Sequence, residues 1–199
     1  MTDEELKNVQ RMAPVYGSDA LAGANEQYHL YLRDSVIPEE GGRSALEVGC
    51  GKGLWTEVLC ERYDTVDVVE GSEELLAQVV ERCRGRRAKL TTHGVLVEDF
   101  APAEGRTWQH VYMTFLLEHL ADPVSVLRRM KHWLAEDGSL FLAVPNANSV
   151  HRVIAVRMGL IRTADELSDN DRRVGHRRVY TPGLLRSQVE QAGFEVAED

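Results

Sequence analysis

SALEVGCGKGLWTEVLCERYDTVDVVE, residues 44–70, is the stretch that decides the fold. SALEV (44–48) is a short apolar run of strand length, and in LWTEVLCERY (54–63) Leu54, Val58 and Leu59 recur at helical spacing. TVDVVE (65–70) is a second apolar strand ending on Glu70. The pieces read as strand, glycine turn, helix, strand, which is a βαβ unit.

The alternation continues outward. Ser72 is placed to cap a second helix with Leu76, Val79, Val80 and Cys83 inward, followed by a strand AKLTTH (88–93). A turn or short helix near 95–100 leads to a strand WQHVYM (108–113). Asp122-Pro123 opens a helix to Leu134 with Val124, Leu127, Met130 and Leu134 on one side. Glu136-Asp137-Gly138 then turns the chain into SLFLAVP (139–145). Five strands alternating with helices predict an α/β fold with one open, mostly parallel sheet.

Two regions stand outside this rhythm. Residues 1–40 carry eight acidic against three basic side chains and predict helices around 3–12 and 22–34, ended by Ile37-Pro38 and Gly41-Gly42, as a lid or a packing segment. Within the remaining domain, 41–199, residues 146–180 hold one helix and then little periodicity, the mark of a lid-like insertion. Thr181-Pro182 opens a last helix with Leu185, Val189 and Ala192 inward, stopped by Gly193 before a strand FEV (194–196). A strand so near residue 199 predicts that the natural chain continues.

With 199 residues and 43 % hydrophobic side chains the chain can bury a sizeable core, which excludes a fibrous or wholly disordered protein. The formal charge of -9 disfavours nucleic acid and anionic membranes as general partners. Cys50, Cys60 and Cys83 lack zinc-knuckle spacing and an even disulfide framework, so reduced thiols in the cytoplasm are expected. No HExxH or CxxC pattern is present, and no metal is expected.

The loop Glu47-Val48-Gly49-Cys50-Gly51-Lys52-Gly53 has GxGxG spacing, neither the GxGxxG of dinucleotide folds nor a phosphate-binding P-loop. Its glycines permit a tight turn and close approach of backbone N–H groups to a ligand, and Glu70 can accept ribose hydroxyls. EVGCGKG with Glu70 resembles motif I and the ribose-binding acid of class I S-adenosylmethionine-dependent methyltransferases, over most of residues 40–197. LLEHLADPVSVLRRMKHWLAEDGSLFLAVPN (116–146) looks like the small-molecule branch that includes ubiquinone-biosynthesis-type enzymes.

The resemblance implies a Rossmann-like, seven-stranded-type sheet with helices on both faces, its last strands lying beyond this chain. It implies S-adenosylmethionine as cofactor, with Gly49, Cys50, Gly51 and Gly53 at its methionine and ribose side and Glu47 at its amino group. Glu70 would bind the ribose, with Gly71 and Ser72 beside the sugar, Val95 and Leu96 near the adenine, and Leu116, Leu117 and Glu118 at the floor. Glu47 also reads as a carboxylate that orders the loop. Gln109-His110 stands where relatives often carry an acid, and Glu98 and Asp99 are displaced from His93-Gly94.

An oxygen or nitrogen nucleophile needs a proton acceptor, for which His119, His176 and His151 are the candidates. His119 also reads as a loop-fixing histidine bonded to backbone, and His151 as a capping or solvent-facing group at a helix start. Residues 151–178 hold seven arginines against four acids, so Arg152 and Arg177, with Tyr28 and Tyr180, would suit a small acceptor carrying a carboxylate or phosphate. The same arginines equally suit ion pairs with Glu118, Asp165, Asp169 or Asp171. Tyr16 would offer its ring to the sulfonium, or pack. Alternative activities are tRNA or protein methylation, or cofactor binding without catalysis; a monomer and a homodimer both fit.

Overall fold

The central strand β1 (Gly42–Val48) pairs in parallel with β2 (Tyr63–Val69) on one side and β4 (Trp108–Thr114) on the other. Ala45, Leu46 and Val48 are 0 % exposed, as expected of a strand enclosed by neighbours and covered on both faces. β3 (Lys89–His93) adds to β2 in parallel, and β5 (Leu134–Ala143) lies beside β4, giving the order β3-β2-β1-β4-β5. This is an α/β, Rossmann-like fold. The computed structural model describes residues 22–197. The helix expected at 3–12 and Tyr16 lie outside them.

The described chain forms two compact units, one running to Met113 and resumed over Trp133–Phe141, the other comprising Thr114–His132 and Leu142 onward. In the first, helix α1 (Ala22–Val36) sets Leu32 and Val36 against the core, while Tyr28 and Tyr31 are exposed. α2 (Leu54–Arg62) and α3 (Glu73–Arg82) follow β1 and β2. Ser72 caps α3 by accepting from the Leu75 amide at 3.3 Å. Its inward stripe is Leu75, Leu76 and Val79 with Cys83; Val80, expected inside, is exposed because the buried arc falls one position earlier.

Asp67 on β2 ties the first unit together across its strands. Its carboxylate accepts from Trp108 Nε1 at 2.8 Å and Arg106 at 2.5 Å, and pairs with His93 Nε2 at 3.0 Å. At the start of β4, Gln109 receives the Arg43 amide at 3.0 Å and its own amide donates to Ser44 Oγ, so the residues standing in for an acid hold strand register. The turn expected at 136–138 falls inside β5, where a Cβ on Gly138 would sit 3.0 Å from backbone of Ala135 and Trp108, a tight approach that glycine avoids.

In the second unit, α4 (Pro123–Met130) is capped by Asp122, which accepts from the Ser125 amide at 3.0 Å. It gives way to a 3-10 turn over Lys131–Trp133 and does not reach Leu134. Val126, Leu127 and Met130 are buried, whereas Val124 and Leu134 are half-buried. The segment expected to be largely irregular contains α5 (Val150–Arg157) and α6 (Asp169–Arg173), and a parallel bridge joins Asn146 to Tyr180. α7 (Pro182–Gln191) is capped by Thr181 and buries Ala192 just beyond its end. Phe194–Val196 is not a strand, since no neighbour among the described residues offers it a ladder. No described helix is long and apolar enough to cross a membrane.

Burial alone would raise the Asp67 carboxyl, but its hydrogen bonds from His93, Arg106 and Trp108 outweigh that and hold it below the ordinary 3.8. The stability it contributes is present above about pH 3.8 and is lost as pH falls through the folded value. Asp67→Asn is expected to lower unfolding free energy at neutral pH by about 1.5–3 kcal/mol and to weaken the acid dependence. Urea titrations at neutral and acidic pH measure both.

Candidate active site

β1 leaves its buried run into three successive left-handed glycines, Gly49, Gly51 and Gly53, at φ 79°, 49° and 78°. The turn closes through Gly49 N–H to Val69 O and Gly53 N–H to Cys50 O, each 2.9 Å. Gly53 has a second constraint, for a Cβ there would lie 2.9 Å from Val79 Cγ2 and push α3 away. A Cβ on Gly51 would meet nothing within 4 Å, so the turn has an open cradle above it. α2 starts at Gly53 with no side chain capping its first amides.

Two buried carboxyls accompany the turn. Glu47 accepts from Thr56 Oγ1 at 2.5 Å, which fastens the end of β1 to the first turn of α2. Burial lifts its pKa to about 8, with the Thr56 hydrogen bond opposing. Glu70 Oε1 accepts the Ser72 amide at 2.9 Å, and Cys50 Sγ lies 3.9 Å from Oε2. Burial raises Glu70 too, against hydrogen bonds from the Ser72, Gly51 and Gly71 amides. The Cys50 thiol is pushed far up by burial and by both carboxylates, so it is inert packing. Buried acceptors beside an open glycine cradle fit a ligand rich in hydroxyl and amino donors, as a nucleoside with an amino-acid tail is. Val95, 36 % exposed, and half-buried Leu96 lie in the turn after β3.

In the second unit, Phe115 takes φ 53°, the one left-handed non-glycine among the described residues, and its amide donates to Ala143 O at 2.8 Å. Such strain persists where the surroundings over-determine it. Leu116, Leu117, Glu118 and His119 follow, closed by His119 N–H to Leu116 O at 2.9 Å. The loop after α6 is stitched onto them: Arg177 donates its amide to Glu118 O and its Nε to His119 O, each at 2.9 Å, and Arg178 reaches Ala121 O.

This stitching delivers His176 to Glu118, with Nε2 3.9 Å from Oε1 and the His119 ring 4.8 Å away, edge-on. Glu118 is 1 % exposed, neither of its oxygens has a hydrogen-bond partner on another residue, and burial raises it to about 8 against the pull of its own amide. His119, half-buried and beside His176 and Arg177, is lowered to about 4 by desolvation first and is a weak base. Glu118, His119 and His176 each offer a ligand-type atom within 4.8 Å of the others, a grouping that their separation in sequence conceals.

Other expected site residues are placed elsewhere. Arg152, read as a contact for an anionic acceptor, is 7 % exposed and enclosed, bonding Ala164 O at 2.6 Å, Glu166 O and Asp171 at 3.1 Å. Tyr180, read likewise, is 1 % exposed and donates to Gln188 at 2.9 Å, which makes it core. His151 is exposed on the first turn of α5, 3.4 Å from Ser149 Oγ. Asp171, expected as an ion-pair partner of the arginines, is that of Arg152, and it also closes a capping box with Ser168 at the start of α6.

Residues 8–199 match the family model for the methyltransferase domain, and the chain belongs to that family. Among curated relatives, a ubiquinone biosynthesis O-methyltransferase of Neisseria meningitidis serogroup C is 26 % identical over 164 residues, 79 % of this chain and 66 % of the relative. The chain thus spans about two thirds of that protein's length. The N-methyltransferase NodS of Bradyrhizobium japonicum, solved with S-adenosyl-L-homocysteine, superposes with TM-score 0.62 at 15 % identity, covering 92 % of this chain and 85 % of NodS. The [4+2]-cyclase SpnF superposes with TM-score 0.67 at 17 % identity, covering 92 % and 61 %. The likeness to these structures is one of fold.

Glu47 and Glu118 are neutral in the folded protein below about pH 8 and ionised in the unfolded chain above about 4.5. The folded state therefore holds more protons across that window, and stability of the ligand-free protein falls as pH rises through it. Glu47→Gln and Glu118→Gln are each expected to flatten this slope, read by chemical denaturation at several pH values.

Proposed function

We propose that the chain transfers a methyl group from S-adenosylmethionine to a hydroxyl oxygen of a small molecule. The observation that carries this reading is the open turn Gly49–Gly53, with the buried Glu47 and Glu70 carboxyls, inside a matched methyltransferase domain. When bound, S-adenosylmethionine supplies a methyl carbon made electrophilic by its sulfonium. Glu70 accepts from the ribose hydroxyls, beside Gly71 and Ser72, and Glu47 accepts from the amino group. Gly51 leaves room for the ligand against the backbone, and Val95 and Leu96 line the adenine.

Direct displacement asks the protein chiefly to align the groups and keep water out. A hydroxyl also needs somewhere to leave its proton, and His176 suits that role better than the weakly basic His119 or the exposed His151. The arginines behind the expectation of an anionic acceptor are engaged within the second unit, Arg152 with Asp171 and two carbonyls and Arg177 with His119 O. An anionic group on the acceptor is accordingly not part of the proposal. A nitrogen acceptor is the second reading, favoured by the unpartnered Glu118 carboxyl, which would suit an amine.

Calorimetry is expected to give one-to-one binding of S-adenosylmethionine and its demethylated product, with no comparable binding of NAD. Glu70→Ala should weaken it by about 1.5–3 kcal/mol, the range for a lost charged hydrogen-bond acceptor. Gly51→Val should weaken it further, since its φ of 49° strains any side chain and the cradle would be filled. Unchanged dissociation constants in both folded variants would remove these residues from the site. A metabolite screen with methyl-labelled cofactor identifies the acceptor.

A further inference from the structure

The Glu118 carboxyl is wholly enclosed with neither oxygen hydrogen-bonded to another residue, which marks a place where a polar group is missing. His176 Nε2 lies 3.9 Å from Glu118 Oε1, too far for a hydrogen bond. An oxygen about 2.8 Å from each end would bridge that gap. The other ring nitrogen of His176, Nδ1, lies 3.2 Å from Asp171 Oδ1.

Asp171 cannot turn away from the ring. Its Oδ2 accepts from the Ser168 amide at 2.8 Å, Ser168 Oγ at 2.7 Å and Arg152 at 3.1 Å, leaving Oδ1 to His176. Arg152 is itself fixed by the carbonyls of Ala164 and Glu166. Burial alone would raise Asp171, but the Ser168 and Arg152 hydrogen bonds prevail and keep it ionised. An ionised oxygen accepts only, so the proton of a neutral His176 belongs on Nδ1 and the lone pair on Nε2.

We infer that Asp171, locked by Arg152 and Ser168, is a positioning residue that fixes His176 in the Nδ1–H form, so that Nε2 and Glu118 together take the hydroxyl of the methyl acceptor. This rests on the proposed methyl transfer. The acceptor O–H bond breaks with its proton moving to Nε2, and an oxygen lone pair forms the new O–C bond. The carbon–sulfur bond breaks with its electron pair left on sulfur. The imidazolium formed is balanced by Asp171, and the Glu118 carboxyl, kept neutral by burial, donates to the oxygen as it gains charge. The other charged or titratable groups facing His176 are His119, edge-on, and Arg152 behind Asp171.

Nitrogen-15 NMR of the imidazole rings, at a pH where His176 is neutral, tests this without an acceptor. Wild type should show Nδ1–H with bare Nε2; Asp171→Asn should lose that preference, and Asp171→Glu should restore it at least in part. With the acceptor found by the methyl-label screen, Asp171→Asn should lower kcat at least tenfold with S-adenosylmethionine affinity unchanged within twofold. An Nε2–H ring in wild type, or the wild-type tautomer retained in Asp171→Asn, overturns the inference. So does one-to-one zinc binding abolished by Glu118→Gln, because an ion would then fill the gap. Failure of S-adenosylmethionine to bind wild type instead sinks the proposed function, whatever the tautomer.

Discussion

Parallel pairing of β1 with both β2 and β4 is the constraint from which the rest follows. Parallel strands cannot be joined by a hairpin, so the chain must leave each strand at one edge of the sheet and return through a crossover. Leaving β1 while entering α2 at once requires a turn that only left-handed residues make, and three glycines occupy it. The backbone exposed by those glycines is also what a ligand can approach closely. Steric necessity and binding capacity are therefore one feature of the sequence.

Burial sets the chemistry of the carboxyls around this frame, and partners decide its direction. Asp67, Glu47, Glu70, Glu118 and Asp171 are all buried, yet Asp67 and Asp171 stay ionised because arginine, together with tryptophan in one case and serine in the other, donates to them. Glu47 and Glu118 receive one hydrogen bond and none from other residues, and stand near 8. The difference lies in the donors: guanidinium groups outweigh burial where they reach the carboxylate, and a single hydroxyl does not.

Local signals were legible in the sequence. Ser72, Asp122 and Thr181 cap the helices expected of them, since a cap involves residues three apart. The five strands and the glycine turn follow from apolar runs and spacing. Val80 and Val124 were misplaced because helical periodicity leaves the buried arc uncertain by a position. Phe194–Val196 has strand composition, but a strand exists only with a neighbour to pair with. The meeting of Glu118 with His176, and the enclosure of Arg152, join residues far apart in the chain, and no local pattern encodes them. Arginine-rich composition left both an anion-binding surface and ion pairs with nearby acids open, and Arg152 takes the second course, with Asp171 and two backbone carbonyls as its partners.

Helix α5 turns a charge inward and leaves Val150, Val153, Ile154 and Met158 largely in solvent. Its attachment thus rests less on greasy contact than on the single guanidinium of Arg152, which grips carbonyls at 164 and 166 and the carboxylate at 171. Releasing any one of these leaves a buried cation short of an acceptor, which costs more than an exposed ion pair would. Cutting Arg152 back to alanine would remove all three contacts at once, so the segment's hold depends on one side chain.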